Sequence, residues 1–214
     1  MSDAQLSTPD PIPDADSPAV PVRKRPKPGE RRVQILQALA TMLEQPGAER
    51  ITTAALAARL EVSEAALYRH FASKAQMFEG LIDFIEQSVF TLVNQITERE
   101  TTGSTQAAKV VAMLLQFAEK NPGMTRVMVG DALVFENERL QQRMNQFFDK
   151  IESTLKQSLR GAADGEASAT PSADAQVKAS MLTSFVVGRL QRFARSGFRR
   201  LPSEHLEASL ALML

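Results

Sequence analysis

There is no cysteine in this 214-residue chain, and no tryptophan. Without cysteine there can be no disulfide, no thiolate metal site and no thiol nucleophile, a composition that suits a reducing compartment. Aromatic side chains are scarce, with one tyrosine, Tyr68, and eleven phenylalanines. No apolar run approaches the roughly 18 residues that a membrane-spanning helix needs. The N-terminus lacks the apolar stretch of a secretory signal. These absences point to a cytoplasmic protein with no membrane partner. The formal net charge is zero, which as an average argues against nucleic acid. The distribution of charge along the chain matters more than its sum.

The chain opens on "MSDAQLSTPDPIPDADSPAVPV", which holds four Asp, five Pro and little that could pack. It reads as a disordered acidic tail. "RKRPKPGERR" follows, with Arg23, Lys24, Arg25, Lys27, Arg31 and Arg32 set against Glu30. Alone, such a run is a solvated linker. Ahead of a DNA-binding unit it becomes a candidate phosphate-contacting arm. Residues 1–28 are therefore expected to be tail and arm.

From Glu30 onward the periodicity is helical. Val33, Leu36, Leu39, Ala40 and Leu43 share one face, and Pro46-Gly47 ends that helix. "TTAALAARL" forms a short second helix that Thr52 or Thr53 can cap. Ser63 caps a third, and Ser73 opens a fourth with capping-box spacing to Gln76. The fifth stops at Asn121-Pro122-Gly123, and a short sixth covers about Met124 to Val129. A long seventh carries Leu133, Leu140, Met144, Phe147, Ile151 and Leu155. That spacing resembles a coiled coil, although packing inside a bundle explains it equally well. "GAADGEASATPSAD" marks a mobile loop at about 161–175. Two further helices complete the chain. No segment keeps the alternation of a half-buried strand, so the expected fold is all-α, with about nine helices.

Helices two and three are separated by "EVS" alone, and two short helices joined so tightly make a helix-turn-helix, about 52–71 within a domain of 29–75. Small side chains at Ala57 and Ala58 let the pair approach. Leu56, Leu60, Val62 and Leu67 lock it onto the first helix. Position 61 favours glycine on backbone grounds, and Glu61 stands there instead. With Leu67 and Phe71 turned inward, Glu64, Ala65, Tyr68 and Arg69 turn outward. Ala65 and Ala66 permit close approach to base edges, and alanine can touch a thymine methyl. Tyr68, Arg69 and His70 can reach bases or phosphates, while Thr52, Thr53 and Ser63 can donate to the backbone. Lys74 offers charge at the head of the fourth helix. With Arg31 and Arg32, these are the candidate DNA contacts.

The remaining 76–214 carries no catalytic constellation. His70 and His205 have no third partner, Glu136 and Glu138 fall on opposite helical faces, and no phosphate loop or His-pair metal motif is present. Neither enzyme activity nor a cofactor or metal is expected. The apolar stripe Val177, Met181, Leu182, Phe185, Val186 and Leu190, with Leu206, Leu210 and Met213 beyond it, exceeds what one chain would cover. Phe185, Val186, Leu190, Leu206 and Leu210 are the expected contacts of a four-helix homodimer interface. A two-fold dimer presents two recognition helices one DNA turn apart, matching a palindrome.

"ITTAALAARLEVSEAALYRHFASKAQMFEGLIDFIE" resembles the N-terminal domain of the TetR family. "NPGMTRVMVGDALVFENERLQQRMNQFFDKIESTLKQ" and "FVVGRLQRFARSGFRRLPSEHLEA" resemble the nucleoid occlusion branch of that family. This resemblance implies a dimer that binds palindromic chromosomal sites and, while bound, engages the C-terminal tail of the tubulin-like division protein FtsZ. FtsZ polymers would then be disrupted and division blocked over the nucleoid. It also implies a tail groove between the fourth and fifth helices, here Phe84, Met113, Gln116, Lys120 and Asn121. At Leu92, Gln116 and Lys120 the pattern of the branch has Arg, Gly and Arg. The competing reading is a ligand-responsive repressor, whose C-terminal bundle would enclose an aromatic-lined pocket.

Overall fold

The computed structural model describes residues 29–45, 50–163 and 170–214. The expected tail and most of the basic arm, the Pro46-Gly47 break and part of the low-complexity loop lie outside the described residues.

Helical periodicity translates into helices α1 (Glu30–Leu43), α2 (Thr53–Arg59), α3 (Glu64–Tyr68), α4 (Lys74–Arg99), α5 (Gly103–Lys120), α6 (Pro122–Met128), α7 (Glu138–Ala163), α8 (Pro171–Arg195) and α9 (Leu206–Met213). A 3-10 turn, Asp131–Leu133, precedes α7. Among the described residues there is no strand. The short helices start where hydroxyls cap them. The Ala55 N–H donates to Thr52 Oγ1 at 3.1 Å, and the Ala66 N–H donates to Ser63 Oγ at 3.2 Å. At α4 the Gln76 N–H donates to Ser73 Oγ at 3.2 Å. The returning arm of that capping box shifts by one residue, because Gln76 Oε1 accepts from the Ala72 N–H at 2.9 Å.

The N-terminal domain packs Ile35, Leu39 and Leu43 of α1 against Leu56, Leu67 and Phe71. Val33 was expected on that face, yet it is exposed and Ile35 takes its place. The α1 stripe starts one turn fraction later than the sequence pattern suggests. Ala57 is buried as the tight turn requires, whereas Ala58 is exposed and needs no small side chain. Glu61 adopts φ 54, a left-handed conformation that strains any residue with a Cβ.

One joint fixes the two halves together. A Cβ on Gly123 of α6 would lie 1.9 Å from the Ala40 carbonyl oxygen of α1, so only glycine permits this approach. The fully buried Thr125 ties the same helix to α5, donating to the Ala118 carbonyl at 3.0 Å. Behind the joint, Leu140, Met144, Phe147, Ile151 and Leu155 of α7 are buried among α5 and α8, so the heptad-like spacing serves a bundle core. Leu133 is buried too, but in the 3-10 turn rather than in α7. The low-complexity loop is narrower than expected. Helix α7 continues to Ala163, and α8 starts at Pro171, where proline suits the first helical turn.

Candidate nucleic-acid interface

Most of the sequence-predicted DNA contacts are open to solvent. Thr52, Glu64, Ala65, Tyr68, Arg69 and His70 are exposed, and Thr53 and Ala66 are partly so. Three of them form a chain across the helix-turn-helix. The Tyr68 hydroxyl donates to Thr53 Oγ1 at 3.5 Å, and the Thr53 hydroxyl donates to Glu64 Oε2 at 2.5 Å. This network holds the Tyr68 ring against the start of α2 and fixes the outer face of α3. Thr52 and Ser63 accept backbone N–H groups as caps, which leaves each hydroxyl proton free for a phosphate.

Two predicted cations are already engaged within the chain. The Arg32 guanidinium donates to the His70 carbonyl at 2.8 Å and lies over the Phe71 ring, 4.1 Å from its centroid. It pins α1 to the end of α3, a structural duty beside the DNA contact expected of it. Lys74 pairs with the carboxylate of Glu136 and faces the Phe78 ring at 5.7 Å. Glu136 therefore sits before α7, not on it, and the expectation that it and Glu138 oppose each other across one helix is corrected. Arg31 is half-buried, without the solvent-facing position that a free arm residue would have.

The Lys74–Glu136 contact is the first of a series that runs along α4. Arg139 meets Glu79 at 2.5 Å, and Arg143 meets Asp83 at 2.6 Å and Glu86 at 2.7 Å. Its hydrogen bond to Glu86, with help from Asp83, pushes the Arg143 guanidinium well above its ordinary pKa despite partial burial. Partners some 60 residues apart in sequence leave no local signal, so the sequence reading missed all of these pairs.

The residues expected to bind a partner peptide lie on α4 and α5, away from these ion pairs. Phe84 is 49% exposed and Leu92 is exposed above it, so neither belongs to the core. On adjacent α5, Gln116 and Lys120 are exposed and Met113 is half-buried, all along one stripe. Asn121 is committed locally, its Nδ2 donating to the Phe117 carbonyl at 2.7 Å.

The expected dimer contacts divide. Val186 and Leu190 are 0% exposed, packed within their own chain, and so cannot touch a partner. Phe185, Leu206 and Leu210 are half-buried, and the Arg189 guanidinium lies 4.9 Å from the Phe185 ring. The open apolar positions of α8 are instead Val177 and Met181, 59% and 50% exposed, with Leu212 on α9.

A hollow of about 790 Å³ opens between the end of α4, the start of α5 and α7. Asn94, Thr97, Thr102, Gln106 and Gln157 line it, with no aromatic side chain. It does not match the aromatic-lined pocket that a ligand-responsive repressor would need. His205 is exposed beside Glu204 at 3.8 Å. No cluster of three His, Asp or Glu residues suited to a metal occurs among the described residues, and no described helix is long and apolar enough to cross a membrane.

Two sequence families match the chain. "Bacterial regulatory proteins, tetR family" covers residues 35–81, and an SlmA-like family described as "Tetracyclin repressor-like, C-terminal domain" covers 102–214. The nucleoid occlusion factor SlmA of Idiomarina loihiensis is 51% identical over 183 residues, spanning 86% of this chain and 93% of that protein. Its counterpart in Vibrio cholerae is 50% identical over 184 residues, with 86% and 93% covered. Among solved structures, the transcriptional regulator FadR of Bacillus subtilis, crystallised with stearoyl-CoA, superposes with a TM-score of 0.66 at 14% identity, covering 85% of this chain and 96% of that one. The ketosteroid regulator KstR2 of Mycobacterium tuberculosis gives 0.61 at 15% identity, covering 86% and 93%. At such identities the likeness extends to the fold alone.

Proposed function

The chain belongs to the tetR family of bacterial regulatory proteins and, within it, to the SlmA nucleoid occlusion factors, and we propose that it is a DNA-bound inhibitor of cell division. It binds palindromic chromosomal sites as a homodimer in the cytoplasm, associated with the nucleoid. In that state it engages FtsZ and disrupts its polymers, so that no division ring assembles over the DNA. It acts as a regulator rather than an enzyme.

The observation that carries the DNA half of this reading is the outer face of α3. Tyr68 is exposed yet held by Thr53 and Glu64, with Arg69 and His70 beside it. An exposed, ordered aromatic flanked by cationic and hydroxyl side chains suits a phosphate-lined groove. The division half draws support from Phe84 and Leu92, which leave apolar surface open on α4, and from the exposed Gln116 and Lys120 on α5, which packs against it. A short peptide with apolar anchors would suit such a surface. Leu92 stands where the branch pattern has Arg, so apolar contact outweighs charge in this version of the groove. Lys120 keeps the positive charge of an Arg without its planar fork.

The test is FtsZ assembly with GTP, followed by light scattering. The protein is added alone, then with a palindromic site that it has itself selected from random DNA. Loss of polymer only in the presence of that DNA is the expected result. Normal assembly at saturating DNA would return the chain to the ligand-responsive repressors and remove the division role.

A further inference from the structure

The cation at the head of α4 is not free. Lys74 is the first residue of α4, next to its capping Ser73 and six residues past the end of the recognition helix at Tyr68. Yet the Glu136 carboxylate, 62 residues away in sequence, already holds it. The Glu136 side chain is only 9% exposed, which makes this a seated contact rather than a chance meeting of long side chains.

Glu136 belongs to a loop with a definite shape. Ala132 and Leu133 are buried, the Leu133 N–H donates to the Gly130 carbonyl at 2.9 Å, and the Glu136 N–H donates to the Leu133 carbonyl at 3.0 Å. These bonds turn Val134 and Phe135 outward, 69% and 66% exposed, and aim Glu136 back at Lys74. Further along α4, Arg139 and Arg143 of α7 hold Glu79, Asp83 and Glu86. Those pairs hold α7 to α4 independently of the Lys74–Glu136 contact.

We propose that Glu136 is an internal rival of the DNA phosphate for Lys74, an autoinhibitory contact that DNA must displace, freeing the Val134–Glu136 loop from the DNA-binding domain. This rests on the DNA-binding reading above. A carboxylate and a phosphate diester are both singly charged oxyanions that accept from an ammonium. The duplex, however, presents its phosphates in a dense array whose attraction grows as neighbouring contacts form. The Lys74 side chain keeps 27% of its surface exposed, which lets a phosphate reach the ammonium from the solvent side while Glu136 is still seated. Each protomer would then release its loop only when its recognition helix is seated. DNA occupancy is thereby converted into a change on a surface that never touches DNA.

The experiment measures affinity for the selected palindrome against salt, using the full chain, Glu136→Gln, Lys74→Ala and the double variant. Glu136→Gln is expected to bind about two- to fivefold more tightly, and to have no effect in the Lys74→Ala background. Weaker binding by Glu136→Gln, or the same effect in both backgrounds, overturns the rivalry. A second readout uses the absence of native tryptophan. Phe135→Trp places a single reporter on the loop. Saturating DNA should shift its emission when Lys74 is present and leave it unchanged with Lys74→Ala. No shift in either protein overturns loop release. Failure of the unmodified chain to bind any DNA would take down the DNA-binding reading itself, and is seen before any variant is compared.

Discussion

Arg32 and His70 are joined across 38 residues of sequence, the guanidinium donating to the His70 carbonyl at 2.8 Å. The same guanidinium lies over Phe71, so one side chain of α1 clamps both the end of α3 and the core beneath it. The recognition helix has five residues and cannot stand by itself. Its angle to the rest of the domain depends on such contacts.

Removing that clamp should loosen the domain. Arg32→Ala is expected to cost about 1 kcal/mol of stability, read as a lower midpoint in urea unfolding. Arg32→Lys should recover little of it, because an ammonium cannot stack and donate as a planar guanidinium does. An unchanged midpoint with weakened DNA binding would place Arg32 on a phosphate instead.

The two faces of α8 call for opposite outcomes. Leu190→Asp puts a carboxylate at a fully buried position and should cost about 4 kcal/mol or more, leaving little folded protein. Met181→Asp alters an exposed position and should keep the helical circular dichroism. In sedimentation it should yield monomers whose affinity for a palindrome collapses, because two linked half-sites become one. A dimer that survives Met181→Asp would move the interface away from this stripe.

At Gly123 the added atom has nowhere to go. Gly123→Ala sets a methyl against the Ala40 backbone, 1.9 Å from its oxygen, and backbone cannot rotate aside as a side chain can. The α1–α6 joint must open, at a cost of about 3 kcal/mol. Thermal melting should show a large drop, with the N-terminal half losing protection from hydrogen exchange first.

Arg143 makes a prediction about pH. A folded-state pKa raised above the unfolded value gives stability that is present at lower pH and lost only as pH rises through the folded value. For this guanidinium that loss lies far above any working pH. Arg143→Gln should therefore lower stability by about 1 kcal/mol, discounted for its partial exposure, and by the same amount at neutral and at mildly alkaline pH. A penalty that shrinks with rising pH over that range would contradict the assignment.

The helix-turn-helix was legible in the sequence because its rules are local. Thr52, Ser63 and Ser73 cap the residues three positions on, and a turn of fixed length demands a left-handed residue at Glu61. Helix order and the outward turn of Tyr68 follow from the same short-range periodicity. On α4, only its 49% exposure shows that Phe84 is left open.

Periodicity states which residues share a helical face, not what that face meets. Helix α8 carries two adjoining apolar stripes, and the sequence reading merged them. The bundle buried Leu182, Val186 and Leu190 and left Val177 and Met181 outside. Likewise, composition balanced 25 basic against 25 acidic residues without pairing any of them. Folding decided that Arg32 serves α3, that Glu136 reaches Lys74, and that Arg143 holds α4. The sequence determined the helices and the reading head, since those depend on neighbours within a few residues. Which charges are free and which faces are open belonged to the tertiary structure, because both depend on residues that only the packed chain brings together.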